Sequence, residues 1–157
     1  MTFIANPSGD EIEAPPADEG VIVNDGFFPD IAPAAVRADA RISANVTAPR
    51  LRAAILGAIM SVEYDLRAFA ARSIAATLAD VPSPQLDGQS QQLIRYHRAV
   101  SLYAKAELVE RYRDFDTTSA GGNQADELSP SIGELRRDAL HAVRDILGTS
   151  RTTVDLI

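Results

Sequence analysis

A single apolar stripe in the middle of the chain constrains the fold more than any other feature. Between residues 51 and 74, apolar side chains recur at spacings of three and four, which matches one face of a long α-helix. Thr47 is suited to cap the start of this helix, and Pro49 fits its first turn. The pattern predicts that the helix ends near Leu78, before the turn at 81–84. The stripe consists of Leu51, Ile55, Ala58, Ile59, Val62, Leu66, Phe69 and Ile74.

Three further helices are predicted from shorter stripes. A short helix begins at Pro33 and places Val36 and Ala40 on one face. Two longer helices span about 87–114 and 129–148. The residues expected to cap the long helices are Asp87 or Ser90 for the third helix, and Ser129 and Gly148 for the two ends of the fourth.

The composition favours a thin helical core. Apolar residues make up 46% of the 157-residue chain but aromatic residues only 6%, so Ala and Leu fill most apolar positions. Helices with small side chains pack closely together. We therefore predict an all-α fold, a small bundle of about four helices, one short and three long, in residues 27–148. An extended acidic N-terminal arm, residues 1–26, precedes it, and a short extended C-terminal tail, residues 149–157, follows it.

The arm concentrates the negative charge of the chain. It contains six acidic residues and no Lys or Arg, whereas the net charge of the whole chain is −7. Its prolines break any helix, so we expect an extended arm without a core of its own. We also expect the arm to be pinned against another surface, with a neighbouring subunit as one candidate. Its best anchor is Val21, Ile22 and Val23. The basic footprint of a protein that grips duplex DNA is missing from the sequence.

The sequence lacks the residue sets that catalysis and metal binding need. The absence of Cys excludes disulfides, thiolate metal sites and thiol nucleophiles. His97 and His141 each lack a His or Glu four residues later that would complete a metal-binding pair. Phosphate-binding glycine loops and nucleophile elbows are also missing. We expect a protein that is not an enzyme and that uses no cofactor.

Charged and aromatic side chains on the predicted helices are candidates for contacts between subunits. Glu107 and Arg111 stand four residues apart, which predicts a solvated face with ion pairs. Arg136 and Arg137 lie beside two acidic residues, so an ion-pair cluster is expected, with phosphate contact as the alternative. The tyrosines are either core-edge residues with the hydroxyl in water or subunit contacts. The candidate subunit contacts are Phe27, Phe28, Tyr96, Tyr103, Tyr112, Arg136 and Arg137.

The C-terminal tail is β-prone and contains no Pro and only Thr, Ser, Arg, Val, Asp, Leu and Ile residues. A lone strand is not stable, so the tail either frays or pairs with the sheet edge of a partner. The residues predicted to dock on that partner are Thr152, Thr153, Val154, Leu156 and Ile157.

Membrane insertion is not expected. The sequence has no run of about 18 apolar residues. Residues 1–16 lack the basic start and apolar middle of a signal peptide. We expect a protein that stays in the cytosol, or in a particle assembled there.

Several motifs together resemble one protein family. The first is Phe27-Phe28-Pro29-Asp30-Ile31, and the second is Ala48-Pro49-Arg50-Leu51-Arg52 at the start of the second helix. Others are Leu86-Asp87-Gly88, Glu110-Arg111-Tyr112-Arg113, Glu134-Leu135-Arg136-Arg137-Asp138 and the closing Ile157. Over about residues 21–157 the chain resembles the head completion protein of temperate contractile-tailed bacteriophages.

The resemblance implies a structural connector between head and tail. Such proteins form a ring of about twelve copies under the portal protein after DNA packaging. The ring extends the channel, through which double-stranded DNA passes without specific binding, and offers a platform for a downstream neck or tail-terminator protein. The C-terminal segment of such connectors commonly docks on the portal, and here that segment is 148–157.

The sequence favours three other functions less. A tail terminator is usually α/β, whereas this chain has almost no strand signal. A packaging helper such as a small terminase subunit needs a helix-turn-helix with a basic recognition helix, and the second helix carries four Arg without a dense basic face. A generic helical interaction domain is the remaining alternative.

Overall fold

The computed structural model describes residues 19–24, 26–113 and 130–150, with the side chains of 112 and 113 left out. Within these residues the chain is mostly helical and has one very small hairpin, which confirms the all-α prediction. The elements are α1 Pro33–Asp39, α2 Ala48–Arg72, a 3-10 turn at Leu78–Asp80, β1 Gln85–Leu86, β2 Gln89–Ser90, α3 Gln91–Arg113 and α4 Ile132–Leu147.

The core lies where α3 packs against α2 on one side and α4 on the other. Much of this contact is made by small side chains, which let the helices approach closely. Gly57 of α2 shows how close the approach is, because a Cβ atom there would lie 2.6 Å from Oε2 of Glu107 on α3. The fully buried side chains with the largest volumes are Tyr96, Ile31, Leu51, Ile55, Leu66, Leu78 and Leu135.

The predicted stripe of α2 faces the core, but the helix ends earlier than expected. The stripe residues Leu51, Ile55, Ala58, Ile59, Val62 and Leu66 are buried. Ile74 lies beyond the helix and is fully exposed. The helix stops at Arg72, before Leu78, because Leu78 is held by a contact with another part of the chain. Leu78 is fully buried, and its N–H donates to the carbonyl of Phe27 at 2.7 Å. This long-range hydrogen bond draws the chain away from the helix axis.

A two-residue turn before α3 forms a small hairpin, which the helical periodicity of the sequence does not predict. Gln85 pairs with Ser90 and Leu86 with Gln89. Asp87 and Gly88 have φ values of 48° and 72°, the two positive values that a tight hairpin turn requires. Asp87 therefore belongs to the turn, and Ser90 is the cap of α3, since its Oγ accepts from the N–H of Gln92 at 3.2 Å.

The caps of α4 are well formed, although the first lies two residues later than predicted. Ser131, not Ser129, caps the helix, because its Oγ accepts from the N–H of Glu134 at 3.2 Å. The Glu134 carboxylate in turn accepts from the N–H of Ser131 at 2.7 Å, which completes a capping box. Gly148 ends the helix with φ 67°, as predicted.

The last part of the predicted arm belongs to the helical domain. Ile22 and Ile31 exchange two backbone hydrogen bonds of 2.8 and 2.9 Å, and both side chains are buried. Val21 and Val23 are exposed on either side. Of the three predicted anchor residues, only Ile22 enters a core, and that core is the subunit's own. In the described part of the chain, no helix is long and apolar enough to cross a membrane.

Candidate interaction surfaces

A buried polar cluster fixes residues 19–31 to the helices. The Tyr96 hydroxyl donates to Oε1 of Glu63 at 2.9 Å. The side-chain amide of Asn24 donates to the same oxygen at 2.7 Å and to the Tyr96 hydroxyl at 3.1 Å. Because Tyr96 is fully buried, its hydroxyl needs these partners. The cluster ties one residue from the arm, one from α2 and one from α3 together.

Aromatic rings next to this cluster pack within the subunit. Phe28 stacks on Tyr96 with ring centroids 5.2 Å apart, and Phe27 meets Phe28 edge-on at 5.0 Å. Phe27 also contacts Phe69 near the end of α2 at 6.4 Å. Phe28 and Tyr96 are both buried within the subunit. The structure thus gives these two candidate contact residues a role inside the core.

Two arginines hold the first described residues of the arm. Arg37 of α1 forms an ion pair with Glu19 and donates to the carbonyls of Ser43 at 2.8 Å and Val46 at 3.0 Å. The side chains of Arg37 and Glu19 are both largely buried, so the pair is screened less by solvent than a surface pair. Arg52 of α2 lies within 3.5 Å of two backbone carbonyls of the arm, a long contact. The acidic segment is therefore held by basic side chains at the point where it joins the domain.

An apolar strip runs along the outward side of α2, opposite the core stripe. It consists of Leu56, Met60 and Tyr64, spaced four residues apart, which expose 42%, 68% and 65% of their surface. The guanidinium of Arg67 lies over the Tyr64 ring, 3.8 Å from its centroid. We call Leu56, Met60 and Tyr64 the outer stripe. The i, i+4 spacing of its members was visible in the sequence, but the stronger core stripe on the same helix obscured it.

The edge between α3 and α4 is charged. Arg136 pairs with Glu110 across the two helices at 2.6 Å, Arg137 with Asp138 at 3.5 Å, and Glu107 with Arg111 at 2.8 Å. The predicted ion-pair face and ion-pair cluster are confirmed. Because these pairs are exposed, each adds little to stability, of the order of 0–1 kcal/mol.

Tyr103 lies near this edge, and its ring is half-buried. Burial raises the pKa of Tyr103, the negative charge of Asp65 raises it further, and Arg136 opposes both effects. Tyr103 and the two arginines thus remain candidates for subunit contacts. The side chain of Tyr112 and the tail residues Thr152 to Ile157 lie outside the described residues.

The described residues offer no metal site. Within them, no three His, Asp or Glu side chains come together in an arrangement that could hold a metal ion. His97 stands on α3 beside the ring of Tyr96, 6.2 Å between centroids. Burial lowers the pKa of His97, and the nearby Asp39 partly opposes that effect. This environment is that of a helical core-edge histidine.

Comparison with known proteins identifies the family. The family model described as "Phage head completion protein (GPL)" matches residues 22–157. The chain is 41% identical to the "Head completion/stabilization protein" of Escherichia phage P2 over 93% of this chain and 88% of that one. It is 29% identical to the "Probable head completion/stabilization protein" of Haemophilus phage HP1 (strain HP1c1) over 89% and 94% of the two chains. No solved structure matches the chain. The chain therefore belongs to the phage head completion protein family, a structural family of the virion head.

Proposed function

We propose that this protein completes the filled phage head as a ring of about twelve copies under the portal protein. The ring extends the DNA channel and provides the platform for a downstream neck or tail-terminator protein. The observation that carries the proposal is the similarity to head completion and stabilisation proteins along nearly the whole chain. The place of action is the neck of the virion, between head and tail.

The surfaces of the described domain support a ring. A closed ring uses heterologous contacts, so each subunit must offer two different faces. The outer stripe of α2 offers an apolar face, and the α3–α4 edge around Arg136 and Tyr103 offers a charged one. The two faces are made by different helices, since the outer stripe belongs to α2 alone and the charged edge to α3 and α4.

The charges support passage of DNA without specific binding. Arg136 and Arg137 on α4 are engaged by acidic partners and form no open basic patch. The chain carries a net charge of −7, which repeated around a ring gives an acidic collar. Acidic walls repel the phosphate backbone and keep DNA from sticking. A ring whose channel is lined by basic side chains would contradict this part of the proposal.

The tail supplies the proposed portal contact. Thr152, Thr153, Val154, Leu156 and Ile157 follow directly after the cap of α4. The described part of the chain ends at Ser150, after the helix cap at Gly148 and after Thr149, whose N–H donates to the Arg144 carbonyl at 3.0 Å. Removal of 151–157 thus leaves the capped helix intact.

The test is co-sedimentation of the purified chain with DNA-filled, tailless heads of its phage, compared with empty unexpanded proheads. We expect stoichiometric binding to filled heads and protection of their DNA from nuclease. Two variants assess the tail: Leu156→Asp with Ile157→Asp is expected to lose binding, and the matched control Asp155→Asn is expected to keep it. A folded chain that binds neither particle would overturn the proposal.

A further inference from the structure

No described element covers the outer stripe of α2. Met60 and Tyr64 expose about two thirds of their surface, and Leu56 nearly half. The stripe is about 12 Å long, because eight residues separate its ends and a helix rises 1.5 Å per residue. A continuous apolar strip of this kind marks a surface that binds another protein segment.

The outer stripe has one charged side chain against it, the guanidinium of Arg67. α2 contains two acidic residues, Glu63 and Asp65. Glu63 is hydrogen-bonded to Asn24 and Tyr96, and Asp65 acts on Tyr103 of α3. Arg67 remains at the stripe itself, over the ring of one of its members. A segment that covers the outer stripe should therefore combine apolar side chains with negative charge.

The N-terminal segment of the chain has this composition. Residues 1–18 contain four acidic residues and no Lys or Arg. Within them, Ile12 lies between Glu11 and Glu13, so one apolar side chain is flanked by two carboxylates. The next acidic residue, Glu19, is already bound by a basic side chain of the domain. The segment and the outer stripe are thus complementary in both charge and apolar character.

The reach of the segment sets which copies of the outer stripe it can contact. The backbone carbonyl of Glu19 lies beside Arg52, which is one turn of α2 before Leu56 and two turns before Met60. The seven residues from Ile12 to Glu19 span up to about 24 Å when extended, so the outer stripe of an adjacent copy is within reach as well as that of the same subunit. A contact between copies is favoured because it supplies one of the two faces that a closed ring needs.

We propose that residues 1–18 of one copy dock on the outer stripe of a neighbouring copy, with Ile12 against Met60 and the flanking glutamates facing Arg67. The inference rests on the ring proposed above for the presence of that neighbour. Each subunit gives its arm to the next one, a head-to-tail contact that closes naturally in a ring. Met60 suits such a contact because its unbranched side chain adapts to the shape of its partner.

The chain contains no cysteine, so single thiols can report the contact in the full-length protein. Ala14→Cys and Ser61→Cys place one thiol beside Ile12 and the other beside Met60, in two separate proteins that are then mixed. The matched control pairs Ala14→Cys with Gly133→Cys, an exposed position in the first turn of α4 where an added Cβ would lie 4.0 Å from Oγ of Ser131, an ordinary van der Waals distance. We expect the heterodisulfide with Ser61→Cys to form roughly tenfold faster than with the control, because docking raises the local thiol concentration.

The charge dependence gives a second readout. Arg67→Glu in the Ser61→Cys protein is expected to slow the cross-link several-fold, whereas Arg67→Lys retains most of the rate. Raising the salt concentration should have the same effect as Arg67→Glu, since exposed charges are screened. Equal rates for all three proteins, at any salt concentration, would contradict docking through these charges.

Two results would overturn the proposal. One is a heterodisulfide rate no greater than that of the control pair. The other concerns the double variant Ala14→Cys with Ser61→Cys at low protein concentration. If its disulfide forms within one chain, and cross-links between chains are thereby blocked, the segment docks on its own subunit. The assay needs only a second copy in solution, whereas the proposed function is tested with phage heads. A chain that cross-links but does not bind heads therefore refutes the proposed function and leaves the arm contact standing.

Discussion

Replacement of Tyr96 by Phe isolates the contribution of one buried hydroxyl. The ring stays stacked on Phe28, so packing is unchanged, and two hydrogen bonds are lost, one to Glu63 and one from Asn24. A hydrogen bond to a charged group contributes about 1.5–3 kcal/mol. Asn24 and Glu63 keep their direct bond of 2.7 Å, so the loss should lie near the lower end, at about 2 kcal/mol. For a chain of this length that corresponds to a Tm about 4–8 °C lower.

The measurement is urea unfolding followed by far-UV circular dichroism, with an unchanged m-value as the sign that the two end states are the same. Tyr103→Phe is the matched control, because this hydroxyl makes no hydrogen bond among the described residues. Its substitution should change the unfolding free energy by less than about 0.5 kcal/mol. If Tyr96→Phe costs no more than Tyr103→Phe, the polar cluster does not hold the arm as described.

Three further outcomes follow from the local geometry. Ser131→Ala removes the capping box that lowers the pKa of Glu134, so an NMR titration should show that pKa rising toward its ordinary value. In the wild type, the ionised Glu134 stabilises the folded state above the pKa that it has in the unfolded chain. This stabilisation is lost as the pH falls through the lower pKa of Glu134 in the folded state. Burial lowers the pKa of His97 in the folded state. As the pH drops below 6.5, His97 therefore binds a proton more readily in the unfolded chain than in the folded one, and the free energy of unfolding falls. His97→Gln should reduce the dependence of the unfolding free energy on pH below 6.5. An unchanged slope would mean that other groups cause this dependence. Gly57→Ala should change the unfolding free energy by less than about 1 kcal/mol, because the gain in helix propensity offsets the displacement of the flexible carboxylate end of Glu107. If denaturant unfolding shows a loss above about 2 kcal/mol, the carboxylate of Glu107 is rigidly held.

The helices could be predicted because the residues that specify each helix lie close together in the sequence. The core stripe of α2, the glycine cap at Gly148 and the position of Pro33 in the first turn of α1 all depend on residues within a few positions of each other. The hairpin before α3 also had a local signal, since Asp87-Gly88 is a two-residue turn sequence. Two-residue strands are too short to show alternation, so only the turn could have revealed it.

The candidate contacts were less predictable, because a single helix stripe does not show which face is covered. Tyr96 follows the same periodicity as Tyr103, yet one is fully buried and the other half-buried. The difference comes from Phe28 and Asn24, about seventy residues earlier in the chain, which fold over Tyr96. No local pattern reports a contact of that sequence separation.

The sequence by itself determined that this chain is helical, that it contains no cysteine, and that it resembles head completion proteins. These properties depend on composition, periodicity and short motifs. Only the tertiary structure decided that α2 stops at Arg72, that Ile22 joins the core and that none of the other described elements covers Leu56, Met60 and Tyr64. Each of these three features depends on where a segment distant in the sequence packs. The hydrophobic effect is non-directional and favours burial against any apolar partner, so the local sequence does not specify which partner is used.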